Sequence, residues 1–516
     1  MSNTLSLEQF DYLIKEHQYG GFITSEDSFN LDIDSFEKIK SICDKMVMLR
    51  NIRSEYLLKL NKNKAVFEPG NLWDDSFCAN NFRLIAAKDY HTINHLRLLT
   101  HNFTGYRLID MSFAEGKDNI TEIPKNISDL SKKYATEIQN VIYDHLKFNL
   151  NIPENYKSKA PRLFGEIGWE FDGKVINYDI WSIQQRINAL YHSGILDYLK
   201  KIISKKGTCR ILEIGAGYGG LAYNLINMLE DVEYTIVDLP ESLIYSSIYL
   251  STLFPTMSHV IAEPEKTEKL DPNQITYISN YLLDDFDIPD GHFDLVINVL
   301  SLTEMAPEQV EYYAKTIQRL IGDDGIFFEQ NYVVPLIHTN APSILKTYLP
   351  YQKTLKETPA PHSGRGTVNI WANKYISDLF DLSVYNLPEQ YISETQQKHK
   401  PLYSNSSALS PFIFDRIDQL NTYLKNEPVV IYGAGEHTTQ LLENPKFKQL
   451  NIVAIADKDG RKLGKHLEGF EVVSPSTIPN YADHVIISTK AFESAVVNEL
   501  KDAFKERLTL HTLYRV

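Results

Sequence analysis

Cysteine is scarce in this chain of 516 residues: there are three, Cys43, Cys78 and Cys209, far apart and with no CxxC pair. That excludes a disulfide framework and a cysteine-based structural zinc site, and it fits a reducing compartment. Positive charge is also in deficit, with 52 Lys and Arg against 67 Asp and Glu, a net charge of −15. An acidic chain gains nothing from counterion release on a nucleic acid, so DNA and RNA are excluded as expected partners. No apolar run approaches the ~20 residues of a membrane span. The first residues, MSNTLSLEQFDYLIKEH, hold no basic segment followed by an apolar one, so no secretory signal is expected and the expected location is cytoplasmic. Hydrophobic content of 43% and charged content of 23% are nevertheless those of a folded chain. The length predicts two to four domains.

What is present is concentrated in Arg210–Glu241, RILEIGAGYGGLAYNLINMLEDVEYTIVDLPE. Ile211, Leu212 and Ile214 read as a buried parallel strand. Gly215, Gly217, Gly219 and Gly220 then open the backbone to close approach, with Ala216 between the first pair. Leu221, Leu225 and Met228 follow at helical spacing, so the first amides of a helix face whatever sits on the glycines. A second strand, Tyr234–Val237, ends at Asp238, where a carboxylate accepts bonds from ribose hydroxyls. Strand, glycine loop, helix, strand and acid in register point to a nucleotide site. Glu213, two residues before Gly215, selects among nucleotides: it repels a pyrophosphate and suits a cation, such as the amine and sulfonium of S-adenosylmethionine (SAM).

The stretch resembles motif I of class I methyltransferases, an acid followed by GxGxG, and Asp238-Leu239-Pro240 resembles the acidic turn of small-molecule O-methyltransferases. Together with GEIGWEFDGKVINYDIWSIQQRINALYHSGIL, the region from about Phe164 to about Asn373 resembles the sugar O-methyltransferase family. The resemblance implies a SAM-dependent enzyme that methylates an oxygen of a sugar, nucleotide-sugar or glycan. It implies SAM contacts from Glu213, Gly215, Ala216, Gly217, Gly219, Asp238 and Leu239. At the next strand end, Asn280-Tyr281 stands where the family often has an acid touching the adenine amine, and the amide oxygen of Asn280 can accept the same bond. Asn298 closes a further strand, His292–Leu300, and with Glu304 is expected near the methyl donor.

Before this region, Ser35–Leu60, Ile85–Leu99 and Ser128–Phe148 read as helices, and Asn177–Lys200 as a helix after a hairpin with an Asp172-Gly173 turn. His91, His95 and His101 read as surface or packing histidines rather than metal ligands, and no metal is expected. The mixed aromatic and polar strip Phe67–Phe82 fits either the lining of a sugar pocket or an ordinary loop. Asp284, Asp285, Asp287 and Asp290 read as a solvated loop. After the region, Pro335–Asn373 shows no regular period and is expected to be a substrate loop, supplying a general base from His338 or His362 with Glu304 as a further candidate.

Glu427–Asp457 repeats the strand, glycine turn, helix, strand and acid pattern, with Gly433, Gly435 and Asp457 in the corresponding places. It lacks an acid before the loop and has Thr438 where a third glycine is wanted, so dinucleotide binding there is not expected. It resembles small nucleotide-sugar-associated domains of bacterial glycan enzymes. The expected architecture is α/β: a mainly helical region over 1–160, a methyltransferase domain over 161–375, a connector over 376–425 and a second Rossmann-like domain over 426–516, in a possible homo-oligomer. The rival functions are a nicotinamide-dependent sugar oxidoreductase and a non-catalytic binding protein.

Overall fold

The computed structural model describes residues 22–23, 28–69, 78–100, 152–166, 168–171, 174–266, 270–331, 339–355, 367–379, 411–488 and 493–513. They fall into two compact units, one holding the described residues up to 379 except Thr339, the other Thr339 and the described residues from 411. The architecture is mixed α/β, with sheets that are mainly parallel.

In the first unit a short strand β1 (Phe22–Ile23) precedes helices α1 (Ile33–Lys59), α2 (Lys64–Phe67), α3 (Cys78–Ala86), α4 (Tyr90–Asn94) and α5 (Leu96–Thr100). Helix α1 starts where expected, because the Asp32 carboxylate caps the Ser35 amide. The helix expected over Ile85–Leu99 is instead broken: Lys88 takes a left-handed φ of 58° and Asp89 caps a new start through Thr92. The segment Ser128–Phe148 lies outside the described residues. Strands β2 (Gly168–Phe171) and β3 (Lys174–Ile176) pair antiparallel. The expected helix over Asn177–Lys200 divides into α6 (Tyr178–His192) and α7 (Ile195–Lys206), because Gly194 between them is left-handed at φ 80°.

The main sheet then begins with β4 (Cys209–Ile214), α8 (Gly220–Leu229), β5 (Val232–Asp238), α9 (Pro240–Leu253), β6 (Ser258–Ile261) and β7 (Gln274–Ser279). It continues with β8 (Leu295–Val299), α10 (Pro307–Ile321), β9 (Ile326–Asn331), α11 (Ala341–Tyr348), β10 (Tyr351–Leu355) and β11 (Thr367–Ala372). The strand order across these eight is β10-β11-β9-β8-β4-β5-β7-β6, with β11 alone running against its neighbours β9 and β10. The chain leaves β4 toward β5 on one side and later places β8 on the other. That reversal makes the carboxyl end of β4 a topological switch point, where an open α/β sheet forms its crevice.

The region 335–373, expected to be an unpatterned loop, instead contains α11, β10 and β11. On β11 the polar Asn369 interrupts the buried apolar residues Val368, Ile370, Trp371 and Ala372, and with Trp371 it bonds Glu329, so the strand does not read as a continuous apolar run.

The second unit holds α12 (Pro411–Leu424), β12 (Pro428–Tyr432), α13 (Glu436–Glu443), β13 (Asn451–Ala456), β14 (His466–Leu467), β15 (Phe470–Val473), β16 (His484–Ile487), α14 (Glu493–Phe504) and β17 (Thr509–Thr512). Its strand order is β14-β15-β13-β12-β16-β17, parallel except for the β14–β15 hairpin. Alternate residues of β12 enter separate cores, Val429 and Ile431 in one, Val430 and Tyr432 in the other. Burial on both faces is why the strand reads as a continuous apolar run.

Candidate functional site

At the switch point of the main sheet lies a pocket of about 760 Å³ including its open mouth. The end of β4 contributes Ile214, Gly215 and Gly217, and the end of β5 contributes Val237, Asp238 and Leu239. Asn280 lies just past β7, Val299 ends β8, and Leu300, Ser301, Glu304 and Met305 follow it. Ser242, Gln309, Tyr313 and Pro69 complete the wall.

Gly215 is left-handed at φ 77°, and a Cβ there would overlap Ser301. The loop after β8 therefore packs onto the glycine itself, and only glycine fits both the angle and the space. Asp238 accepts from the Leu239 amide at 2.8 Å, the Ser242 hydroxyl at 2.7 Å and the Gly217 amide at 3.4 Å. Burial pushes its carboxyl up to about 6, against the pull of those three donors. Asn280 is 4% exposed, and its Nδ2 donates to the Phe67 carbonyl at 2.9 Å. That bond turns Oδ1 into an acceptor at the pocket wall with no partner among the described residues. Buried acceptors are rarely left unpaired, so this atom marks a place for a ligand donor.

Several expected residues lie elsewhere. Glu213 is 3% exposed and accepts from the Tyr234 hydroxyl at 2.7 Å rather than lining the pocket. Burial pushes its carboxyl up to about 7, so the charge that distinguished it in sequence is partly lost. Ala216 and Gly219 shape the loop behind the wall, Gly219 at φ 89° beginning α8. Tyr281 turns away to donate to the Leu49 carbonyl of α1 at 2.9 Å. Asn298 is buried one layer back, donating to the Ile214 carbonyl at 2.8 Å and to Ser301 Oγ. Glu304 is at the wall, on a short helical turn, Leu302–Glu304. His338 and His362 lie outside the described residues.

Residues that sequence reasoning missed include Ser242 and Tyr313, which reach the pocket from α9 and α10, and Pro69. Of the strip Phe67–Phe82, Pro69 lines this pocket, and Gln309 Nε2 on α10 holds the adjacent Glu68 carbonyl at 2.9 Å. The remainder of the strip up to Phe77 lies outside the described residues. His95 bonds the His91 carbonyl, and among the described residues no group of three His, Cys, Asp or Glu is placed to hold a metal ion. The acidic loop is tied down by Lys62 on Asp285, Tyr312 on Asp284 and Arg319 on Asp290. No described helix is long and apolar enough to cross a membrane.

In the second unit the Asp457 carboxylate accepts from the Ala434 amide at 2.7 Å and from Lys462 at 2.9 Å. Thr438, fully buried, bonds the Gly433 carbonyl and Ser488. The hydroxyl thus holds the glycine turn closed in place of the close packing a third glycine would allow.

A family described as "C2185-like, N-terminal" matches residues 425–506. No curated protein matches the chain. Among solved structures, it resembles an arsenic(III) S-adenosylmethionine methyltransferase from Chlamydomonas reinhardtii at 16% identity, covering 32% of this chain and 62% of that one, with a TM-score of 0.22. It resembles geranyl diphosphate C-methyltransferase from Streptomyces coelicolor, in complex with S-adenosyl-L-homocysteine (SAH), at 8% identity over 37% and 79%, TM-score 0.24. Human N-acetylserotonin methyltransferase in complex with SAM matches at 12% identity over 38% and 56%, TM-score 0.23. These neighbours are methyltransferases that use SAM, and at such scores the likeness by itself assigns this chain no activity.

Proposed function

We propose that the pocket binds SAM and that the protein is a SAM-dependent methyltransferase. The observation that carries this reading is the chemistry of the wall: Asp238, the unpartnered Oδ1 of Asn280 and Glu304, with neither Lys nor Arg among the described lining residues. A dinucleotide would bring two phosphate charges into that acidic wall. An adenosine carrying a cationic tail meets an acceptor for its ribose in Asp238 and one for its adenine amine in Asn280. Phe67 supports the second role by fixing the amide's orientation.

When bound, SAM supplies a methyl group on a good leaving group, so alignment carries most of the acceleration. The chain's share is to hold the donor, exclude water and take a proton from the acceptor. Glu304, at the wall beyond β8, is proposed to orient the acceptor hydroxyl, and His338 or His362 to accept its proton. A neutral histidine does this near pH 7 without a large shift, whereas a glutamate needs burial. The acceptor we propose is a hydroxyl of a sugar or sugar-bearing metabolite, supported by the resemblance of the segment around Gly165–Leu196 to the sugar O-methyltransferase family. The setting we propose is cytoplasmic, with the segments 161–375 and 426–516 as separate folding domains.

Thermal unfolding with SAM, SAH and NAD tests the cofactor reading. SAM and SAH are expected to raise the melting temperature by mass action and NAD to leave it unchanged. Stabilisation by NAD alone would overturn the assignment.

A further inference from the structure

We propose that Glu329 is a positioning residue whose buried negative charge favours a cation in the pocket and so selects SAM over the neutral product SAH. The inference rests on the SAM reading of the pocket and extends it to a residue outside the wall.

Glu329 lies near the carboxyl end of β9, fully buried, in register with Asn298 on β8 and Asn369 on β11. Its Oε1 accepts from Asn369 Nδ2 at 2.6 Å and Trp371 Nε1 at 3.3 Å, and its Oε2 from Asn331 Nδ2 at 2.8 Å. Every partner is a neutral donor, and no described cation pairs with it.

The orientations of these amides follow from groups that cannot change role. The Ile214 carbonyl can only accept, so Asn298 presents Nδ2 to it, at 2.8 Å. Asn298 Oδ1 is then an acceptor, taking the Leu302 amide at 3.3 Å and Asn331 Nδ2 at 3.0 Å. Asn331 therefore shows the same Nδ2 to Glu329, and Trp371 Nε1 can only donate. Both carboxyl oxygens are required as acceptors, which the ionised form provides. Burial works the other way and pushes the carboxyl up to about 7. A buried carboxylate held by neutral donors alone is short of one positive charge.

The same chain of bonds leads to the pocket. Asn298 Nδ2 also bonds Ser301 Oγ, and Ile214 and Ser301 both line the wall. Leu300, directly before Ser301 on the wall, is held left-handed at φ 63°, a conformation a leucine adopts only when its surroundings impose it. Glu329 thus fixes the turn against which the cofactor would lie, and its charge is relayed to the wall through two amides. A sulfonium is the charge that SAM has and SAH lacks, while the amino and carboxylate groups are common to both and cancel in the comparison.

Calorimetric titration of SAM and SAH into the full-length protein, Glu329→Gln and Glu329→Asp, from about pH 6 to about pH 8, tests this. Each variant is first shown folded by circular dichroism. The wild-type ratio of SAH to SAM dissociation constants is expected to rise with pH as Glu329 ionises. Glu329→Gln is expected to lower the ratio at high pH by roughly three- to tenfold and to reduce its pH dependence to what Asp238 and Glu213 leave, and Glu329→Asp to restore both. Asp238, Glu304 and Glu213, the other acids at or behind the wall, are present in all three proteins, so the difference isolates Glu329. An unchanged ratio in folded Glu329→Gln overturns the proposal. Should that variant fail to fold, proton release by Glu213→Gln, which lacks the other carboxyl raised to about 7, decides: it is expected to be greater for SAM than for SAH near neutral pH, and equal release overturns the proposal. Failure of both ligands to bind the wild type would instead refute the cofactor reading itself.

Discussion

Asp238 is hydrogen-bonded by its own chain before any ligand arrives, to Leu239, Ser242 and Gly217. Those bonds aim the carboxylate, while burial raises its pKa from 3.8 to about 6. The folded protein therefore binds more protons here than the unfolded chain between those two values. By linkage, the stabilising contribution is full below about pH 4 and is lost as pH rises through about 6, a change of at most roughly 3 kcal/mol. Asp238→Asn is expected to flatten this part of the melting temperature against pH in ligand-free protein. The same substitution removes charge-assisted bonds worth roughly 1.5–3 kcal/mol each, so SAM affinity is expected to fall by an order of magnitude or more. Calorimetry on both proteins checks the two effects, and a wild-type dissociation constant in the variant would place the ribose elsewhere.

Among the elements, α1 and α2 do more than cover the sheet. Arg53 on α1 forms a two-pronged bond with Glu241, at 2.9 and 3.0 Å, in the first turn of α9 directly after Asp238-Leu239-Pro240. Arg50 adds a third contact at 3.1 Å. At the end of α2 the Phe67 carbonyl orients Asn280, and just beyond it Pro69 joins the pocket wall. The N-terminal helices thus build the side of the pocket proposed for the adenosine. Arg53→Ala would leave the buried Glu241 carboxylate short of its main partner, a loss of about 3–5 kcal/mol for a buried pair. The expected result is a melting temperature lowered by several degrees and weakened SAM binding, with Arg50→Ala, at a more exposed site, losing less on both counts. Equal effects from the two arginines would argue against this clamp.

For the molecule as a whole, the two units each carry their own apolar core: one continuous cluster behind the pocket, and two clusters on the faces of the C-terminal sheet. No described pocket residue belongs to the second unit. A chain ending at Tyr403 is therefore expected to fold and to bind SAH with an affinity within a few-fold of the full protein, measured by the same titration. Loss of binding in a folded, soluble truncation would mean that the two units make one site.

The sequence by itself determined the centre of the fold. Strands β4 and β5, the loop Gly215–Gly219 and the acid at Asp238 were legible because local chemistry dictates them: apolar runs for buried parallel strands, glycine where φ is positive, a carboxylate at a strand end. Glu304 was placed near the pocket by its position past a strand end, and Asn280 by the family resemblance at the preceding strand end. Tertiary structure decided the rest. Glu213 reads as a charge facing a ligand, yet its strand neighbour Tyr234 takes it into the core. The strands β10 and β11 escaped notice because β10 is largely polar, with Gln352 and Thr354 bonding Asn369 on β11, and Asn369 in turn bonds the buried Glu329. Phe67 and Pro69 lie far along the chain from Asn280, and no local pattern encodes a wall built by a carbonyl from another element. Glu329 looked like any strand residue. Its set of neutral partners, with no described cation paired to it, exists only once β8, β9 and β11 lie side by side, because burial and partnership belong to the packed sheet and not to the residue.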